Sequence, residues 1–264
     1  MNRLQDVFLQ KQGNLLNVYF TAGYPTLHST RPLLRALQAA GTDLVEIGMP
    51  FSDPLADGPV IQDSSTQALK NGMTLSLLFE QLAGMRDEIQ LPVLLMGYLN
   101  PVMQYGMERF CADCEKVGID GLILPDLPLD EYEREFKPLF EKHGLAAVFL
   151  VTPQTDEARI RKIDALSNAF IYLVSTASTT GTKNAAQSAT EAYLQRVASM
   201  QLQTPAMVGF GIKDRSGFEL ACRYTRGAIV GSAFIEALQG ASEEDFPALC
   251  KSFVERFKSP VSTT

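Results

Sequence analysis

The chain has 264 residues, of which 46% are hydrophobic and 20% charged, enough for a large apolar core. Its 23 basic and 30 acidic residues leave a net charge of −7, which with no dense basic run argues against nucleic acid. No apolar stretch reaches the roughly 18 residues of a membrane span, and MNRLQDVFLQKQGN lacks the apolar core of a signal peptide, so a cytoplasmic location is expected.

In chain order, β-rich runs alternate with helical patterns. NVYFTAG (17–23) precedes the helical STRPLLRALQAAG, and DLVEIG (43–48) precedes LSLLFEQLAGMRDEI. LPVLLMGY (91–98) leads to ERFCADCEKVG, and IDGLILP (119–125) to DEYEREFKPLFEKHG. LAAVFLV (145–151), AFIYLVS (169–175) and TPAMVGFG (204–211) lead to EARIRKIDALS, ATEAYLQRVASM and DRSGFELACRY, before a last run, GAIVGS (227–232). Most of the runs are continuously apolar, as parallel strands covered on both faces are. Gly41, Gly118 and Gly144 close helices, the residue type preferred there. Eight such units over about 250 residues are the arithmetic of a (β/α)8 TIM barrel, here one domain spanning 1–264. The rival, a doubly wound open sheet, requires weakly apolar edge strands, and none is visible.

Cys111 and Cys114 form a CxxC inside a helical pattern with no second pair, so helix packing explains them better than zinc or redox chemistry. His28 and His143 fall at a helix start and a helix end, which disfavours a His-based triad. Catalysis therefore falls to carboxylates, tyrosine or backbone, and no metal site is expected.

A barrel carries its chemistry at the C-terminal ends of its strands. GFGI (209–212) and GS (231–232) end the last two strands, where barrels commonly hold phosphate on backbone N–H groups. Gly209, Gly211, Gly231 and Ser232 suit such a cradle, although glycines serving only turns would look the same. STASTTGTKNAAQ (175–187) reads as a lid over the mouth, with Thr180 and Gly181 meeting the ligand; a plain surface loop is the alternative.

In LVEIGMPFSDPLADGP (44–59), Glu46 shares a face with Leu44 near a strand end. If that face is the barrel interior, burial raises its pKa toward the range of a general acid–base. Pro50, Pro54 and Pro59 stiffen the loop that follows and would hold Asp53 and Asp57 in place. Asp57 could accept a substrate N–H or balance a positive charge; as Asp-Gly it could also simply form a turn.

EIGMPFSDPLADGPVIQ (46–62) resembles the signature of the tryptophan synthase α subunit family, with support from FTAGYP (20–25), NP (100–101), PDLP (125–128), GFGI and GS. The resemblance implies the (β/α)8 barrel and the retro-aldol cleavage of indole-3-glycerol phosphate to indole and glyceraldehyde 3-phosphate, late in tryptophan biosynthesis. By the same resemblance Glu46 is the acid–base, Asp57 holds the indole N–H, Tyr172 is the active-site tyrosine and Phe210 lies at the indole end. Gly181, Gly211, Gly231 and Ser232 match the phosphate cradle, and Thr180 the lid threonine that closes toward Asp57. The family works with a β subunit carrying pyridoxal phosphate in an αββα assembly; no cofactor is expected in this chain, and the Asp53-Pro54 loop and PDLP would face the partner. The lid departs from the pattern: Ser178-Thr179-Thr180-Gly181 replaces a common Gly-Val-Thr-Gly, and Thr176 stands where some members have Arg. Other readings are a sugar-phosphate isomerase or epimerase, a stand-alone lyase releasing indole, and a non-catalytic barrel that regulates a partner.

Overall fold

The computed structural model describes residues 2–54, 57–174, 183–209 and 211–258. Eight parallel strands follow one another round a closed barrel: β1 (Leu15–Thr21), β2 (Leu44–Gly48), β3 (Val93–Met96), β4 (Gly121–Ile123), β5 (Ala146–Val151), β6 (Ile171–Val174), β7 (Ala206–Gly209) and β8 (Gly227–Val230). β8 pairs back onto β1, with Leu15 beside Gly227 and Asn17 beside Ile229. Closure leaves no free sheet edge and covers both faces of every strand, which is why the runs are apolar throughout.

The register sorts the two faces. Tyr19, Glu46, Leu94 and Gly121 lie side by side on consecutive strands, so their side chains share one face. Tyr172 and Met207 share the corresponding positions on β6 and β7. This face points into the barrel, while Val45, Ile47, Leu95 and Leu122 point out against the helices and are fully or almost fully buried. Leu44 and Glu46 thus share the inner face, as the alternation predicted.

Helices that the apolar periodicity did not announce complete the barrel. Arg3–Gln10 is capped by Asn2 and plugs the N-terminal end with Leu4 and Phe8. Burying two such side chains contributes about 1.5–3 kcal/mol each. Phe246–Lys258 packs Phe253 and Phe257 inward, with the Phe253 ring 4.8 Å from that of Phe234. Pro59–Lys70 and Leu99–Tyr105 start at the mouth of the barrel, directly after loops that carry candidate residues. The helix after β6 begins at Lys183, inside the stretch that the sequence reading assigned to a lid.

Cys111 and Cys114 are both fully buried on the core side of Met107–Val117, where burial pushes each thiol up in pKa, so they act as packing groups. His143 follows the helix Lys137–Lys142 and pairs with Glu115 at 2.7 Å.

Candidate active site

The segment after β2 is held from its own backbone and from the next helix. Asp57 donates its N–H to the Pro54 carbonyl at 3.1 Å. Gly58 caps Pro59–Lys70, whose first residue is the proline a first helical turn accepts. From that helix Gln62 donates its Nε2 to the Asp57 carbonyl at 2.8 Å and to that of Pro54 at 3.3 Å. Ser64, two residues on, meets the Thr21 hydroxyl at the end of β1 at 2.7 Å. The loop is therefore positioned by Gln62 and Ser64 as well as by its prolines.

Asp57 reaches into a narrow cavity of about 60 Å³ at the C-terminal end of the barrel. Tyr19, Tyr172, Gly211, Lys213, Gly231 and Ser232 also line it. Ile61, Met96, Ile212 and Ile229 supply apolar wall. A larger hollow, about 770 Å³, lies at the opposite end between Phe8, Val197 and Arg223, but it presents no carboxylate. Size does not decide between them. Barrel enzymes work at the C-terminal face, and there the described residues bring Asp57, the Tyr19, Tyr172 and Ser232 side chains and Gly211 and Gly231 to one cavity.

Glu46 does not line the cavity; it lies beneath it, fully buried in the barrel interior. Its Oε1 accepts from Asn17 Nδ2 at 2.6 Å, and its Oε2 has no hydrogen-bond partner among the described residues. Burial pushes the carboxyl up to about 8, while the Asn17 hydrogen bond pulls the other way. Asp57 is also raised by burial, opposed by a long hydrogen bond of 3.3 Å from the Tyr98 hydroxyl. Tyr19 and Tyr172 lie within electrostatic reach of both acids. Burial first, then the charges of both carboxylates, hold each phenol well above its ordinary value. The charges of Glu46 and Asp57 thus reach the same two phenols.

Each tyrosine extends over a glycine. A Cβ at Gly48 would sit 2.0 Å from the Tyr19 hydroxyl oxygen, and one at Gly209 would sit 2.1 Å from that of Tyr172. These glycines make room for a phenol at a strand end. Gly211, Gly231 and Ser232 line the cavity, and Gly209 is not among its lining residues. Gly211 has φ +76° and Gly231 is the N-terminal cap of Ser232–Ala237. Asp53 is exposed, away from the cavity lining. Thr180, Gly181 and Phe210, with the lid stretch around Thr176, Ser178 and Thr179, lie outside the described residues.

Asn17, Tyr19, Tyr98 and Lys213 belong to the site or its support and were not singled out from the sequence. An asparagine inside an apolar strand is a usable signal for the first; the others need the register and the loop paths.

A model of the family described as tryptophan synthase alpha chain matches residues 6–259. The tryptophan synthase alpha chain of Flavobacterium psychrophilum is 53% identical over 238 residues, covering 90% of this chain and 94% of that protein. That of Christiangramia forsetii is 51% identical over 259 residues, 98% of this chain and 99% of that protein. Among solved structures, tryptophan synthase subunit alpha from Legionella pneumophila superposes with a TM-score of 0.84 at 33% identity, over 97% of this chain and 98% of that one. A chain of tryptophan synthase from M. tuberculosis in an aminoacrylate-bound form gives 0.84 at 29% identity, over 98% of this chain and all of that one.

Proposed function

Since the chain belongs to the tryptophan synthase alpha chain family, enzymes that cleave indole-3-glycerol phosphate, we propose that Glu46 moves the protons of that reaction and Asp57 balances its charge. The observation that carries this reading is the state of the two acids. Glu46 is fully buried and Asp57 half-buried, neither has an ion-pair partner among the described residues, burial raises both, and both lie within electrostatic reach of the same pair of tyrosines.

Breaking the bond from indole C3 to the glycerol chain needs a proton on C3 first, which makes a cationic iminium at the ring nitrogen. A carboxyl raised to about 8 is still protonated at neutral pH and carries that proton. Asp57, at the cavity wall, accepts the ring N–H and stabilises the cation as it forms. The glycerol hydroxyl then gives up its proton to the Glu46 carboxylate. Its O–H electrons form the aldehyde C=O, and the C–C electrons return to the ring, leaving indole and glyceraldehyde 3-phosphate.

Ile61, Met96 and Ile229 suit the apolar ring between the acids. Gly211, Gly231 and Ser232 suit the phosphate, and Lys213 adds a cation at that end. Tyr172 packs beside the ring. We place Thr180 and Gly181 in the lid and Phe210 at the indole end on the family pattern alone. The chain is taken as one domain, in the cytoplasm, with a β subunit carrying pyridoxal phosphate in an αββα assembly. The exposed Asp53 and the PDLP segment would face that partner. Asp126 of PDLP accepts from the Leu99 N–H at 2.9 Å and so already anchors a neighbouring helix.

The test is indole release from indole-3-glycerol phosphate, with and without a β subunit. Glu46→Gln is expected to lose about 10²–10⁴-fold in rate, the range for a positioned acid–base, while substrate still binds. Near-normal turnover in that variant ends the assignment.

A further inference from the structure

We propose that Asn17 is the positioning residue for Glu46 in both of its protonation states. It donates Nδ2–H to the carboxylate and, with its amide turned over, accepts through Oδ1 from the carboxyl. This rests on the reading of Glu46 as the proton carrier.

Asn17 lies on β1 with no exposure, facing into the barrel. Its neighbours across the register are Leu44 on β2 and Ile229 on β8, both apolar. A carboxamide there loses its hydration and regains it only through hydrogen bonds, so a structural asparagine is expected to be paired at both ends. Asn17 is not. Nδ2 meets Glu46 Oε1 at 2.6 Å, while Asn17 Oδ1 has no partner among the described residues. The same holds for Glu46, with one oxygen engaged and Oε2 unpartnered. One contact thus has an unused acceptor on each side.

That arrangement suits a group that changes protonation. A carboxylate only accepts and a carboxyl also donates, so a group that can only donate serves the carboxylate but offers no acceptor to a proton carried on Oε1. An amide offers both functions through a half rotation about its last side-chain bond. Among the described residues no other side chain is seen to hydrogen-bond the Glu46 carboxyl. β3 sets Leu94 beside Glu46, and the other titratable groups facing it are Tyr19 from β1 and Tyr172 from β6, with Asp57 beyond them. Glu46 Oε2 has no competing donor among the described residues.

A hydrogen bond to a charged group is stronger than one between neutral groups. Asn17 therefore favours the carboxylate on balance, and removing it moves Glu46 further up.

The experiment uses the full chain with ¹⁵N-labelled asparagine, titrated between mildly acid and alkaline pH. The Asn17 carboxamide signals, assigned by their loss in Asn17→Leu, are expected to follow one titration in the wild type and to stay flat in Glu46→Gln. In Asn17→Leu the alkaline fall of kcat is expected about one pH unit higher, a tenfold change in proton affinity, with substrate binding retained. Wild-type signals that ignore pH overturn the proposal. So does an Asn17→Leu variant that loses kcat and Tm with its pH profile unmoved, the mark of a merely structural side chain. If the signals titrate with Glu46 but Glu46→Gln still turns over, the positioning role stands and the proton-carrier reading falls.

Discussion

The two ends of the barrel treat buried acids in opposite ways. At the N-terminal end Asp120, just before β4, accepts from Arg86 at 2.5 Å, Arg3 at 3.2 Å and the Val93 N–H at 2.9 Å. Asp43, just before β2, meets Lys11 at 2.5 Å, Lys258, and the Leu16 N–H at 2.7 Å. At the C-terminal end, among the described residues, Glu46 has one neutral donor and Asp57 one long phenolic one. Burial raises Asp120 too, but Arg86 works against it. The lower acids join strand starts to the helices and the N-terminal segment. The upper acids keep lone pairs free for something that enters, and that freedom separates an acid that holds the fold from one that handles protons.

The sharpest way to break this contrast is to remove one acid from the paired end. Asp120→Ala leaves Arg86, Arg3 and the Val93 N–H without their shared acceptor. A loss of about 3–5 kcal/mol is expected, as for other buried pairs stripped of one partner, and urea unfolding reads it. Indole release per folded molecule should be unchanged; a selective loss of rate would erase the distinction between the ends.

The next effect has the opposite sign. Glu46 titrates at about 8 in the folded chain against 4.5 as its ordinary value. Below the lower value both folded and unfolded chains hold the proton. Between the two the unfolded chain releases it and the folded chain keeps it, so stability falls as pH rises. Above about 8 the full penalty of a buried charge is in place. Glu46→Gln removes that slope and should be the more stable protein by about 2–4 kcal/mol at alkaline pH, with little difference near pH 4.5. Equal urea midpoints for the two proteins at both pH values would count against a raised Glu46.

The smallest effect concerns Asp57. Tyr98→Phe removes the hydroxyl that steadies its carboxylate, a contact worth about 1 kcal/mol. A fewfold drop in kcat is expected, deepest on the acid side, where Asp57 then protonates more readily. A variant whose pH profile overlays the wild type would make Tyr98 a packing residue only.

Much of the barrel is legible in the sequence because parallel strands buried on two faces must be apolar throughout. Glu46 stands out for the same reason, as an acid interrupting such a run. The helix Pro59–Lys70 escapes that reading: its core, Gln62-Asp63-Ser64-Ser65-Thr66, looks like a loop, and its helical state comes from Pro59 at the start and packing on β1. Asn17 and Tyr19 escape it too. Their meaning depends on β1 lying beside β2 in a register that sets Tyr19 level with Glu46, and no local pattern states which strands are neighbours. Gly209 shows the converse. Its place at a strand end invited a phosphate reading, and the side-chain space it frees, which no local pattern announces, is filled by the Tyr172 phenol.

The central claim is that Glu46 enters the reaction carrying its proton because the barrel buries it without a cation. Single-turnover indole release from saturating indole-3-glycerol phosphate, followed from pH 6 to pH 9.5, tests it directly. The account predicts a plateau at low pH and a fall of about tenfold per pH unit above a midpoint near 8, controlled by one group. A rate that stays level or climbs across that range would contradict it.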